Sequence, residues 1–153
     1  ASFLSAWNLA RAEGEDGLAV DAAHMLGIVE PPKVAWEWNE RAMQLARTSP
    51  DPDARRWVGS LANNLGWAHH DAGAYGEALE HFSLALAERR RQDDPARTRI
   101  ARWCVARCLG PLGRTEEALA EQRALAAELV AVGETDEHVN EEIGECLREL
   151  GRT

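Results

Sequence analysis

Arg107-Cys108-Leu109-Gly110-Pro111-Leu112-Gly113-Arg114-Thr115 recurs 38 positions later as Glu145-Cys146-Leu147-Arg148-Glu149-Leu150-Gly151-Arg152-Thr153. Trp67-Ala68-His69-His70-Asp71-Ala72-Gly73 is an earlier relative of both. Aligned on these segments, four stretches share one apolar pattern: Leu18/Ala22/Met25/Leu26/Val29, Leu61/Leu65/Ala68/His69/Ala72, Ala101/Val105/Cys108/Leu109/Leu112 and Val139/Ile143/Cys146/Leu147/Leu150. That spacing is one helical stripe repeated four times. A further register is small in every copy, with Ala23, Gly66, Ala106 and Gly144, which predicts the close approach of a second helix. Second helices supply Ala35 and Ala42, Ala78 and Ala85, and Ala118 and Leu125 at equivalent positions seven apart. One helix pair has too little apolar surface for a core, so neighbouring pairs must stack to bury the stripe. The periods are 43, 40 and 38 residues, and the chain reads as an all-α helical repeat.

The punctuation between stripes agrees. Asp51-Pro52 and Asp94-Pro95 place a capping acceptor before a proline whose missing N–H is harmless in a first helical turn. Thr115-Glu116-Glu117 and Thr135-Asp136-Glu137 put capping groups and acids where the helix dipole favours them. Gly73 and Gly113 fall where helices end. Helices are expected at about 2–13, 16–29, 32–47, 52–72, 75–91, 95–111, 116–132 and 136–150, eight in all, with short turns that make neighbours antiparallel. The expected organisation is a flanking helix (1–13), repeats at 16–58, 59–98 and 99–136, and a half repeat or capping helix at 137–153. Residues 1–13 look like the second helix of a preceding unit, and Thr153 falls where another helix would begin. The array is therefore expected to continue, or its ends to pair with another copy.

Composition narrows the function. Apolar residues make up 45% and charged residues 28% of the 153, enough for a core and too ordered a mixture for a disordered chain. A formal net charge of −9 disfavours a nucleic-acid partner, which needs a clustered positive field. Arginines gather between residues 88 and 107 and acids between 134 and 149, runs that usually form solvated faces. No apolar run approaches the ~20 residues of a membrane span, and the start shows no secretion signal. Three cysteines are an odd number in a chain that needs no staples, so a reducing compartment, the cytoplasm, is expected.

Leu65-Gly66, Gly73, Tyr75, Glu77-Ala78, Phe82 and Ala85 resemble the signature of the tetratricopeptide repeat. The third copy keeps Gly113, Glu117-Ala118 and Leu125 but has Gln122 at the family's aromatic position, and the first keeps Ala23, Ala35 and Ala42 with Asn39 there. The resemblance covers residues 16–153, strongest in 59–91, with repeats longer than the family's usual 34. It implies a right-handed superhelix that binds a peptide or protein on the concave face of its first helices. Carried over position by position, that face holds Val20, His24 and Gly27, then Ser60, Asn63, Asn64, Trp67, His70 and Asp71. Next come Ile100, Trp103, Cys104 and Arg107, then His138, Glu141, Glu145 and Arg148. The core of the candidate site is His24, Asn63, Asn64, Trp67, His70, Asp71, Trp103 and Arg107. Asparagines offer donors and acceptors to a peptide backbone, tryptophans give flat anchors, and Arg107 can hold a carboxylate by two bonds. Of the family's co-chaperone carboxylate clamp only Asn64 is matched, while Val20, His24, Ile100 and Cys104 are not, so that activity is not expected.

Other chemistry is weakly signalled. Cys104 and Cys108 lie one turn apart, but Cys108 shares a small core register with Ala68 and Cys146, so packed thiols are expected rather than a metal site. His69 falls on the apolar stripe and reads as a core histidine. His70 has no metal-binding motif around it. No phosphate loop, nucleophile elbow or motif-fixed acid pair is present, so no catalysis and no cofactor are expected. Trp36 and Trp38 lie on opposite sides of one helix, one expected in the core and the other exposed to a partner or second subunit. A self-associating structural protein and a ligand-sensing regulator therefore stand as alternatives to the peptide-binding scaffold.

Overall fold

A computed structural model describes residues 2–152; Ala1 and Thr153 lie outside the described residues. Among the described residues nine helices follow one another: α1 Phe3–Glu13, α2 Asp16–Val29, α3 Pro32–Thr48, α4 Pro52–Arg55, α5 Val58–Asp71, α6 Tyr75–Arg91, α7 Pro95–Leu109, α8 Thr115–Ala131 and α9 Glu137–Glu149. No strand occurs among the described residues. Asp51, Asp94 and Asp136 cap α4, α7 and α9, each accepting from backbone N–H groups of the first turn. Gly73 and Gly113 take the left-handed conformation, at φ 75° and 79°, in the turns after α5 and α7.

Three expected boundaries are corrected. The single helix expected over 52–72 is two, because the chain turns at Arg56 and Trp57. The helix expected to reach 111 ends at Leu109: Gly110 keeps helical angles, but Pro111 has no N–H to donate and so cannot extend the hydrogen-bond ladder. Thr115 is not a cap: α8 begins on it, Arg114 holds the cap position, and the Thr115 hydroxyl donates to Glu149 Oε2 at 3.0 Å.

The chain divides into two compact units, 1–68 and 69–153. In the first, α2 packs against α1, α3 and α4. Its buried residues are Ala19, Val20, Ala22, Ala23 and Leu26. The expected stripe held Leu18 and Val29 instead, and these are exposed, because helices on several sides of α2 spread burial around it and leave its two ends outside. Trp38 is buried, edge-on to Trp7 at 5.4 Å, while Trp36 is half-buried, so the fully exposed tryptophan expected at this pair is not found. Ser49, 4% exposed, donates to Asp16 Oδ2 at 2.7 Å and accepts from the Asp51 N–H, which ties the turn before α2 to the turn before α4.

In the second unit α6, α7, α8 and α9 pack successively, each on the next. The third and fourth stripes meet across α8: Leu109, Ala118, Leu119 and Cys146 form one core cluster, and Leu125, Leu129 and Val139 another. Ala78, Phe82, Ala85, Ala118 and Leu125 are buried as the second-helix pattern requires. The first-helix pattern is departed from at Ala68, Ala72 and Gly144. Ala68 and Ala72 are exposed because α5 buries nothing beyond Gly66, and a Cβ at Gly144 would meet nothing within 4 Å, so that register is not closely approached. Within each unit, consecutive packed helices form a helical-repeat arrangement. No described helix is long and apolar enough to cross a membrane.

Candidate binding face

Two clusters of first-helix residues emerge, one in each unit. In the first unit His24 of α2 lies with its ring 4.9 Å from Trp57 and its Nδ1 3.5 Å from Asn64 Nδ2 of α5. Burial pushes the His24 pKa down, with Asp21 opposing more weakly, which favours the neutral ring; in the tautomer protonated at Nε2, its Nδ1 accepts from the amide. Asn63 and Trp67 are half-buried beside this pair along α5. Gly27 serves as a seat: a Cβ there would come within 2.7 Å of Asn39 Oδ1, so the absent side chain admits the Asn39 amide from α3. Trp57 was missing from the candidate set because an unbroken helix over 52–72 gave it no special place. The turn at Arg56 and Trp57 brings it against His24.

In the second unit Arg107 Nε donates to Glu142 Oε1 of α9 at 3.0 Å, and its guanidinium lies 5.0 Å from the Trp103 ring centre. The Trp103 ring in turn lies 5.9 Å from His138. The carboxylate expected at Arg107 is thus supplied by the chain itself. Burial raises the Glu142 pKa despite Arg107, and Glu145 and Glu141 raise it further while His70 opposes. His70 is edge-on to Tyr75 at 5.2 Å and 3.7 Å from Asp71, whose side chain is exposed. Glu142 was not foreseen, yet its register was legible: it is equivalent to Asn64 and Cys104 in the repeat. His24 stands in the register of Arg107. The pairs His24–Asn64 and Arg107–Glu142 therefore repeat one device, a residue of one copy bonded to a residue of the next.

Several expected positions are corrected. Val20 and Cys104 are 0% and 1% exposed and cannot line a groove; each sits one residue round its helix from a more open neighbour and turns into the core. His69 is not a buried core histidine but half-buried, stacked on His81 at 4.9 Å, because α5 buries nothing beyond Gly66. Ile100 is 59% exposed. The thiols are packed: Cys104, Cys108 and Cys146 are buried, and desolvation pushes Cys104 up to about 12 and Cys108 to about 11, which keeps both protonated and poor as nucleophiles. Among the described residues no group of three or more His, Cys, Asp or Glu is placed to hold a metal ion. The basic run is largely paired: Arg91 with Glu88, Arg97 with Asp94, and Arg102 with Glu121 and Glu128.

No protein-family model matches the sequence, and no curated protein is significantly similar to it.

Proposed function

We propose that this chain is a non-catalytic scaffold of tetratricopeptide type, a right-handed superhelix whose first-helix face binds a peptide or protein partner. The observation that carries the reading is the state of the candidate residues. His24, Asn63, Asn64, Trp67, His70, Trp103 and Arg107 are half-buried, neither lost in the core nor swinging free in solvent. Polar and aromatic side chains held by packing yet open on one side are what a binding face requires, because little side-chain entropy remains to be lost on contact. The cytoplasm is the proposed compartment, and it suits three unpaired thiols.

The test is selection from a peptide library on wild type and on Trp67→Ala/Arg107→Ala. Sequences enriched by wild type and at least tenfold weaker on the variant support the reading. Equal binding to both would place the working surface elsewhere.

A second reading, self-association, has its own support in apolar side chains left open on α1 and α2, namely Phe3, Leu4, Leu9, Leu18, Ile28 and Val29. Light scattering over a wide concentration range separates the two, since a constant monomer mass removes self-association.

A further inference from the structure

The connections into successive first helices differ in the two units, and the difference leaves a cavity. Between α3 and α5 the chain spends residues 49–57 and winds four of them into α4, which packs on α2 and α3 with Ala54 fully buried. Between α8 and α9 it spends only residues 132–136, and no such turn exists. The helices equivalent to α2 and α3 are α7 and α8. Between them, and closed at one end by α9, lies a cleft of about 370 Å³. Its apolar lining comprises Ile100, Trp103, Leu125, Leu129 and Val139. Leu125, Leu129 and Val139 form a buried floor, whereas Ile100 is 59% exposed at the edge. The volume lies at the low end of the ~300–1,000 Å³ of built ligand sites, which is ample for an anchoring side chain.

The polar residues of the cleft give the occupant a charge. Glu134 and Asp136 line it, and Glu141 stands 3.7 Å from His138, which also lines it. Arg99, the cation on the lining, is 3.7 Å from Glu134 and offsets one of these carboxylates. The rim is therefore net negative around an apolar interior. We propose that this cleft is an anchoring site for a bulky aliphatic or aromatic side chain of a partner peptide, with a lysine or arginine beside it facing Glu134. The proposal rests on the peptide-binding reading above and assigns it a second subsite, built from α7, α8 and the turn before α9.

The test uses the full chain and a panel of acetylated, amidated peptides with one leucine, isoleucine, phenylalanine or tryptophan flanked by lysines or by glutamates. Binding is followed by fluorescence anisotropy, and by chemical shifts of the Ile100 and Leu129 methyls and the Trp103 indole N–H. Ala96→Trp fills the cleft from an exposed position on its lining, and Glu134→Lys reverses the rim. Lysine-flanked peptides are expected to bind and to shift those three signals. Affinity should fall at least tenfold on either variant. Binding that survives Ala96→Trp but is lost on Trp67→Ala/Arg107→Ala would overturn the cleft and leave the first-helix face standing. A preference for glutamate-flanked peptides would overturn the charge assignment. Absence of binding by any peptide in the panel, while library-selected peptides still bind, would also overturn the cleft; absence of both removes the scaffold reading with it.

Discussion

Gln122 occupies the register that Phe82 holds in the preceding repeat, and it is 1% exposed with neither Oε1 nor Nε2 hydrogen-bonded. Its neighbours one turn away on α8, Ala118, Leu119 and Leu125, are all buried and apolar. An amide held there receives no hydrogen bond from the described residues around it. Gln122→Met keeps the unbranched shape and removes both stranded polar atoms, so little repacking is demanded. A buried polar group left unpaired costs about 1–3 kcal/mol, and relieving it should stabilise the protein by a similar amount. With a urea m-value of about 2 kcal/mol/M, the midpoint should rise by about 0.5–1.5 M with the slope unchanged. Gln122→Glu is the reverse perturbation and should lower the midpoint strongly, because an ionised carboxylate in this core has no partner. The assay is equilibrium urea unfolding followed by far-ultraviolet circular dichroism. An unchanged or lowered midpoint for Gln122→Met would refute the reasoning and show that the amide is satisfied, for instance by a buried water.

Other outcomes follow from named groups. The folded-state pKa of His24 lies below its ordinary 6.5, so the unfolded chain binds more protons in that window. Stability should hold above pH 6.5 and fall as pH drops through it towards the folded pKa, and His24→Gln should flatten that slope in unfolding curves measured at successive pH values. Ser49→Ala removes a donor to Asp16 Oδ2 and the acceptor of the Asp51 N–H at a buried site, and should cost about 1–3 kcal/mol in urea unfolding. A loss under 0.5 kcal/mol would mean that water replaces the hydroxyl there. All three cysteines should react with a thiol reagent at pH 8 at least a hundredfold more slowly in the native protein than in urea. A fast native phase would show that one of them is open to solvent.

Much of this molecule was legible before any coordinates. Repetition of Cys-Leu and Leu-Gly-Arg-Thr at fixed spacing determined an all-α repeat, because an apolar stripe at helical period can be buried only by another helix. The aspartate-proline pairs located two helix starts, since capping is chemistry local to a few residues. Burial around α2 was not legible. Which of Leu18, Val20 and Val29 is covered depends on how many helices surround α2, and no stripe in one helix records its neighbours. The same limit hid Trp57 and Glu142, whose partners His24 and Arg107 are 33 and 35 residues away in the chain. It also hid the cleft. The shorter turn before α9 is visible as a length, but its consequence is space between α7 and α8, and that exists only once the helices are packed. Sequence alone determined the elements and their repeat, because periodicity and capping act within a helix. Tertiary structure decided which side chains close the core and which stay open, because that is settled between helices.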